Sequence, residues 1–591
     1  MSENQNKDIV ELEEDVSASR LYSEDLKPVP AQWRTWNTWH LAALWIAMAV
    51  TIPTYLLASY MIVEGLSWVE ALIIIVVANL IITIPMVLNG HAGVKYGIPF
   101  PVLGRACFGI HGVHIASLSR ALVACGWFGI QTWIGGLAIY AIFIALTGYD
   151  YTHGLSFGKF VGFAIFWFIN IYFVWKGTES IKWLEQLSAP ILLLMGLFLI
   201  YWGAQQVGGF GTVLEQSNQL EEPSASLTND EDRLMLTLNP LSDTSGENLK
   251  AEEFRVTVVT EGDNIVGEWT SIDGETTRDI TDDYASVDDV RSGEKEVSLM
   301  FRRQIDGEIM QSSVVFPEFL EADEDIPHRI WLYLLWLTAM LGYWATMSLS
   351  IADITRFGKS QKSQIAGQFL GLPGTMMLYS FVGIFVTCAA IIYFEDILVA
   401  QDAPWDPVSL IGRFESPLVV VVAQFFMIIA TLSTNIAANV IAPANAFSNL
   451  FPKKVNFRTG GIITGVIGIL IMPWWMMETI DSALVFVSGL LGPILGIMIA
   501  DYIVINKTNY KLPDFYKEDG IYAFGGSGFN PAAVYAFIGG VILTLLGYWV
   551  PALSFLYSLS WFTGFIFAFL IYYVMMKYKV NTAPQEAQPL S

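Results

Sequence analysis

Trp127 and Gln131 stand four residues apart in ACGWFGIQTWIGG, so on a helix they share one face. An indole plane beside a carboxamide suits a flat heterocycle, with stacking on the one and paired hydrogen bonds from the other. Asn435 and Asn439 repeat the spacing in IIATLSTNIAANVIAPANAF, and Ser433 and Thr434 put two hydroxyls at one level beside them. Hard oxygen ligands of this kind suit a small cation when carbonyls from a broken helix join them. Taken singly, Ser, Thr and Asn in apolar helices more often glue helices together. The case for function rests on the set.

Little else in the chain could do chemistry. Cys107, Cys125 and Cys388 are too scattered for a metal motif or a disulfide framework. His40, His91, His111, His114, His153 and His328 lie near helix ends or in loops. No Asp or Glu stands mid-span in helices one, three, six or eight, so no buried proton relay is visible; Asp353 and Glu185 could carry a proton only from a distance. Arg120 lies early in helix three, toward an expected entrance, and Asp353 and Arg356 could pair at the end of helix six. No catalytic constellation appears, so the chain is not read as an enzyme and no cofactor is expected.

The elements that must carry these residues are membrane spans. The 591 residues are 54% hydrophobic and only 15% charged, against about 25% charged in a soluble domain. That balance excludes a disordered chain, a nucleic-acid binder and an ordinary soluble enzyme. Apolar runs predict twelve helices, at 40–63, 67–89, 114–146, 158–175, 184–206, 329–352, 366–394, 417–447, 459–476, 481–505, 532–549 and 552–576. The third is too long for one upright span. With both termini on one side, the short loops there hold 15 Lys/Arg, against 2 in the short loops of the other side, the long segment 207–328 left out. Excess positive charge marks the cytoplasmic face, so both termini are expected in the cytoplasm of a cell-membrane protein. The polar start of the chain lacks a charged-then-apolar leader pattern.

The net charge of −24 is local. Residues 207–328 hold 29 acids and 8 bases, and residues 1–30 hold 8 acids and 3 bases. The first of these segments joins spans five and six and is expected outside. FRVTVVT (254–260) and KEVSLMFRRQIDGEIMQSSVVF (295–316) read as strands, the latter turning at Asp306-Gly307. Residues 215–250 read as linker. The expected segments are a tail at 1–39, helices one to five at 40–206, an acidic β-rich insert at 207–328, helices six to ten at 329–505, a loop and the last two helices at 506–576, and a tail at 577–591. No partner of the insert can be named from its carboxylates.

Transporters bind cargo where helices are interrupted. Pro53 stands mid-span in helix one, where it removes a backbone donor. Gly342 and several hydroxyls mark a second expected break in helix six. The two spans are five apart, and an odd repeat length reverses orientation, so helices 1–5 and 6–10 could form an inverted pair.

NGHAGVKYGIPFPVLGRACFGIHGVHIASLSRALVACGWFGIQTWIGG (89–136) resembles the signature of the nucleobase–cation symporter family, first type. WIAMAVTIPTYLLAS (45–59), GYWATMSLSIADITRF (342–357) and STNIAANVIAPAN (433–445) resemble its other stretches. The likeness spans the helical part and is silent on the insert. It implies an all-α LeuT-type fold, with two inverted five-helix repeats plus two helices. It also implies uptake of a nucleobase, hydantoin, allantoin or similar ring with Na⁺ or H⁺. Carried over by motif, Trp127 and Trp344 stack on the ring, and Gln131 and Asn439 bond its edge. The carbonyls of Ala47, Val50 and Ala430 and the hydroxyls of Ser433 and Thr434 hold the cation. Thr51 stands where some members carry a glutamine near the substrate, so the identity of the ring does not carry over. Sodium is the expected ion, because these five oxygens include no titratable group; proton coupling is the alternative. A sensor signalling through the insert is the second functional class, disfavoured because neither tail shows an output domain.

Overall fold

The computed structural model describes residues 9–149, 154–176, 178–221, 224–230, 232–239, 249–260, 265–272, 276–281, 283–292, 295–305, 308–316, 320–321, 330–393, 407–414, 416–477 and 480–582. Among them, ten helices are long and apolar enough to cross a membrane. The bent pair α1 (Thr38–Ala49) and α2 (Ile52–Val63) makes an eleventh span, with 57° between its halves. The ninth expected span is a fourteen-residue helix, Phe457–Leu470, ended by left-handed Met472 and Pro473. The other expected spans each have a long helical counterpart.

The helices that position the candidate residues follow in chain order. α3 (Trp68–Tyr96) leads through the short α4 (Phe100–Leu103) to α5 (Val113–Thr147), the 35-residue helix of Trp127 and Gln131. α6 (Phe157–Lys176) and α7 (Thr178–Val207) complete the first half. The second half holds α8 (Ile330–Ser350), α9 (Gln361–Tyr393), α10 (Pro417–Asn439), α11 (Ile441–Leu450) and α13 (Ile480–Ile499), with the short Phe457–Leu470 as α12. α14 (Pro531–Trp549) and α15 (Ser560–Thr582) pack against each other and α13. α5 lies along α10, and α1 along α9.

The break in helix one falls where proline dictates it. Pro53 opens the first turn of α2, where its missing N–H costs nothing, and the Thr51 side chain caps that turn by accepting the Thr54 N–H. The expected break at Gly342 is not there: α8 runs unbroken from Ile330 to Ser350. Gly342 instead lets α13 approach, since a Cβ would come within 2.3 Å of the Ser488 hydroxyl and 2.5 Å of the Leu484 carbonyl oxygen.

The insert is strand-rich. β1 (Ser224–Asp230) pairs with β2 (Arg233–Asn239), which corrects the expectation of a linker at 215–250. Leu234, Leu236 and Leu238 alternate inward from β2 into the insert's own core. In the second sheet β3 (Glu253–Thr260) pairs with β4 (Lys295–Ile305), and β4 with β5 (Glu308–Phe316). Ile305 faces Glu308, as a two-residue connection requires; Asp306 and Gly307 themselves lie outside the described residues. β5 touches α2 and α9, so the insert rests on the far end of the broken helix.

The first and last described segments of the chain meet the bundle at the opposite end. Val10 N–H bonds the Lys95 carbonyl at 2.8 Å, Trp36 N–H the Phe357 carbonyl at 2.9 Å, and Tyr516 O–H the Leu26 carbonyl at 3.0 Å. The tail is therefore laid across the loops with Val16 and Leu26 buried. Near the other terminus, Asn530 bonds both the Tyr572 hydroxyl and the Cys107 carbonyl at this end.

Candidate functional site

The helix-one break releases carbonyls. In an unbroken helix the Thr51 N–H would serve Ala47 and the Thr54 N–H would serve Val50. Here Thr51 N–H bonds the Ala49 carbonyl at 3.0 Å, and Thr54 N–H bonds the Thr51 hydroxyl at 3.3 Å. Neither reaches the carbonyl it would have served. α1 touches α10, which carries Ala430, Ser433 and Thr434, all buried.

Thr434 joins two groups of candidate residues. Its Oγ1 lies 3.1 Å from the Ala430 carbonyl, 3.2 Å from that of Thr431 and 3.3 Å from Gln131 Oε1 on α5. The Gln131 amide nitrogen makes no hydrogen bond among the described residues. The two asparagines of α10 divide their work. Asn435 Nδ2 reaches the Phe128 carbonyl at 3.3 Å, with Thr132 Oγ1 and Asn170 Oδ1 each at 3.2 Å, which ties α5, α6 and α10 together. Asn439 donates to Asn435 Oδ1 at 3.1 Å and keeps its own Oδ1 for another partner.

The aromatic residues form a chain rather than an open sandwich. Trp127 meets Tyr343 edge-on, with centroids 5.2 Å apart at 78°. Tyr343 stands 4.8 Å from Trp344, and Trp344 meets Trp45 at 5.3 Å and 79°. The Tyr343 hydroxyl lies 3.1 Å from the hydroxyls of both Thr51 and Thr54. Tyr343, Thr54 and Trp45 were missed in the sequence, although all three stand inside the quoted motifs. The buried indole N–H groups of Trp45 and Trp344 have no partner among the described residues, and such donors ordinarily find one.

A cavity of about 340 Å³ opens between α5 and α13. Its wall is apolar, includes Leu122 and Phe486 on the lipid-facing surface, and reaches the site only at Trp127. Arg120 does not face an open entrance: it is buried, donating from Nε to the Thr346 carbonyl at 3.3 Å. Asp353 accepts the Phe100 N–H at 2.8 Å and Arg356 donates to the Asp25 carbonyl at 3.3 Å, and the two charges still act on each other without a direct ion pair among the described residues. The Glu185 side chain lies outside the described residues.

A bundle of membrane helices with one span broken at mid-depth, freed carbonyls beside buried hydroxyls, and rings and amides next to them, defines a solute transporter, not an enzyme. The chain belongs to the family of permeases for cytosine/purines, uracil, thiamine and allantoin, which matches residues 28–229 and 316–564 and leaves out most of the insert. An allantoin permease of Bacillus subtilis is 31% identical over 95% of this chain and 94% of its own length. A purine-uracil permease of Arabidopsis thaliana is 33% identical over 94% of this chain and 78% of its own. Among solved structures, Mhp1, a nucleobase-cation-symport-1 family transporter in a closed conformation with bromovinylhydantoin bound, superposes with a TM-score of 0.65. It is 22% identical over 96% of this chain and 98% of its own. A Na⁺-coupled sialic acid symporter superposes with a TM-score of 0.55 at 12% identity, covering 93% and 91%. The fold is thus the LeuT-type transporter bundle that the sequence motifs implied.

Proposed function

We propose that the chain imports a planar heterocycle of the uracil, cytosine, allantoin or hydantoin class across the cell membrane, by sodium symport with alternating access. The names of the relatives motivate the class of ring. The observation that carries the coupling is the position of the Thr434 hydroxyl. It has one proton to give, and both the Ala430 carbonyl and Gln131 Oε1 stand within reach. With the carbonyls of Ala47, Val50 and Ala430 and the hydroxyl oxygens of Ser433 and Thr434 turned to a cation, the Thr434 proton is left to Gln131. That fixes the amide with its N–H₂ toward the ring. All five oxygens are neutral, which suits sodium better than a proton.

In this reading Trp127 and Trp344 supply the stacking faces, and Gln131 and Asn439 pair with the polar edge. The unpartnered Trp344 N–H supplies a further donor. Stacking on Trp127 requires Tyr343 to give way, and Tyr343 is tethered to Thr51 and Thr54 across the helix break. Ring entry is then felt at the same break as the cation. We place both termini in the cytoplasm and 207–328 outside; the charge excess of the loops supports this, as does the gathering of both ends at one end of the bundle. Uptake of radiolabelled uracil, cytosine, allantoin and hydantoin into proteoliposomes, with sodium replaced by choline at fixed pH, tests the proposal. Saturable, sodium-dependent uptake of at least one ring is expected; uptake of none would refute it.

A further inference from the structure

One polar layer is left unused by the site above. Arg120 lies seven residues before Trp127 on α5, almost two full turns, so it stands on the same face about 10 Å nearer the end where the termini lie. Asp353 follows Trp344 by nine residues, in the short helix Ala352–Thr355 just after α8, and Asn445 follows Asn439 by six, on α11. α5 runs opposite to those two spans, so all three are displaced toward the same end of the bundle. The three strands of helix that carry the ring site therefore carry a second set of polar groups about two turns below it.

The second set is buried and half-tethered. Arg120 is 1% exposed, Asp353 8% and Asn445 4%. Arg120 is held through Nε by the Thr346 carbonyl and Asp353 through Oδ1 by the Phe100 N–H. By strict geometry Arg120 Nη1, Asp353 Oδ2 and Asn445 Nδ2 are each buried without a well-formed hydrogen bond among the described residues, although the Asn445 amide approaches the Asp353 carboxylate and Arg356 also faces it. A guanidinium and a carboxylate with a purely structural task would satisfy each other. Arg120 and Arg356 both lie within electrostatic reach of Asp353, yet neither closes a direct ion pair with it among the described residues.

We propose that Arg120, Asp353 and Asn445 form a second station for the transported ring, occupied after the Trp127 site and before release at the terminus-bearing end. Arg gives donors only, an ionised Asp gives acceptors only, and Asn gives both. That mixture matches a planar ring edge with alternating C=O and N–H groups. The inference rests on the ring-transport reading above and extends it along the path.

Equilibrium binding to the purified full-length protein in nanodiscs tests it, with the four radiolabelled rings named above as probes. Trp127→Ala/Asn439→Ala disables the upper site. It should keep saturable binding, weaker by about 10–100-fold, of whichever ring the unaltered protein binds. Adding Arg120→Gln or, separately, Asn445→Ala should weaken that residual binding by about tenfold more. Asn445→Ala removes no charge, so it separates loss of ligand contact from loss of folding, read in parallel from the thermal unfolding midpoint. Absence of residual binding in the double variant, or residual binding untouched by both additions, overturns the second station while the upper site stands. Failure of the unaltered protein to bind any of the rings overturns the transport reading and this inference with it.

Discussion

Replacing Thr434 by Val keeps the shape of the side chain and deletes the hydroxyl that stands between cation and ring. Thr434 is 3% exposed, so water does not stand in for the lost group. Gln131 Oε1, 3.3 Å away, loses its donor. Leaving a buried acceptor unpaired costs about 1–3 kcal/mol, and about 1.4 kcal/mol is tenfold in affinity. Ring affinity in sodium should therefore fall by roughly 5- to 150-fold. The sharper expectation concerns coupling. The factor by which sodium tightens the ring must equal the factor by which the ring tightens sodium. In Thr434→Val both factors should shrink together toward one. Ring Kd is measured on purified protein in sodium and in choline at fixed pH, and sodium Kd with and without ring. If Thr434→Val keeps the sodium-to-choline ratio of the unaltered protein, the hydroxyl does not join the two sites and the reasoning is wrong.

Trp127→Ala and Trp344→Ala should each weaken ring binding by about 1–3 kcal/mol without loss of insertion, checked by binding to the purified variants. Asn439→Ala should change which rings compete for uptake. Asn435→Ala, which removes a three-way tie between helices, should instead lower the thermal unfolding midpoint, with a loss of about 1–3 kcal/mol in stability. Gly342→Ala forces a methyl against Ser488 and the Leu484 carbonyl and should destabilise by about 1–3 kcal/mol, read as a lower midpoint in detergent. Replacing 212–324 with a short Gly/Ser linker should leave folded, inserted protein with part of its uptake, measured by fluorescence-detected size exclusion and transport.

The features that were legible in the sequence are those whose cause is local. Long apolar runs gave the spans, and Pro53 gave the bend of helix one, because a missing N–H acts within its own turn. Trp127 with Gln131, and separately Ala430 with Thr434, could be paired beforehand because four-residue spacing fixes a helix face. Gly342 was misread as a break because its role is set by Leu484 and Ser488, far along the chain, which only the folded packing brings close. Tyr343 was passed over beside two tryptophans; its part depends on Thr51 and Thr54 across the bundle. The linker at 215–250 was a missed local signal: Leu234, Leu236 and Leu238 alternate at period two, a strand pattern short enough to overlook among acidic residues. The strapping of the tail left no local trace, since its partners Lys95, Phe357 and Tyr516 come from three distant parts of the chain.

The central claim is that ring and sodium cross together. Its most direct test is paired flux into proteoliposomes, following radioactive sodium and a radiolabelled ring in the same vesicles. The account predicts that the transported ring accelerates sodium entry, that sodium accelerates ring entry, and that both effects fall in Thr434→Val. Ring uptake that leaves sodium flux unchanged, and that follows a pH gradient instead, would contradict it.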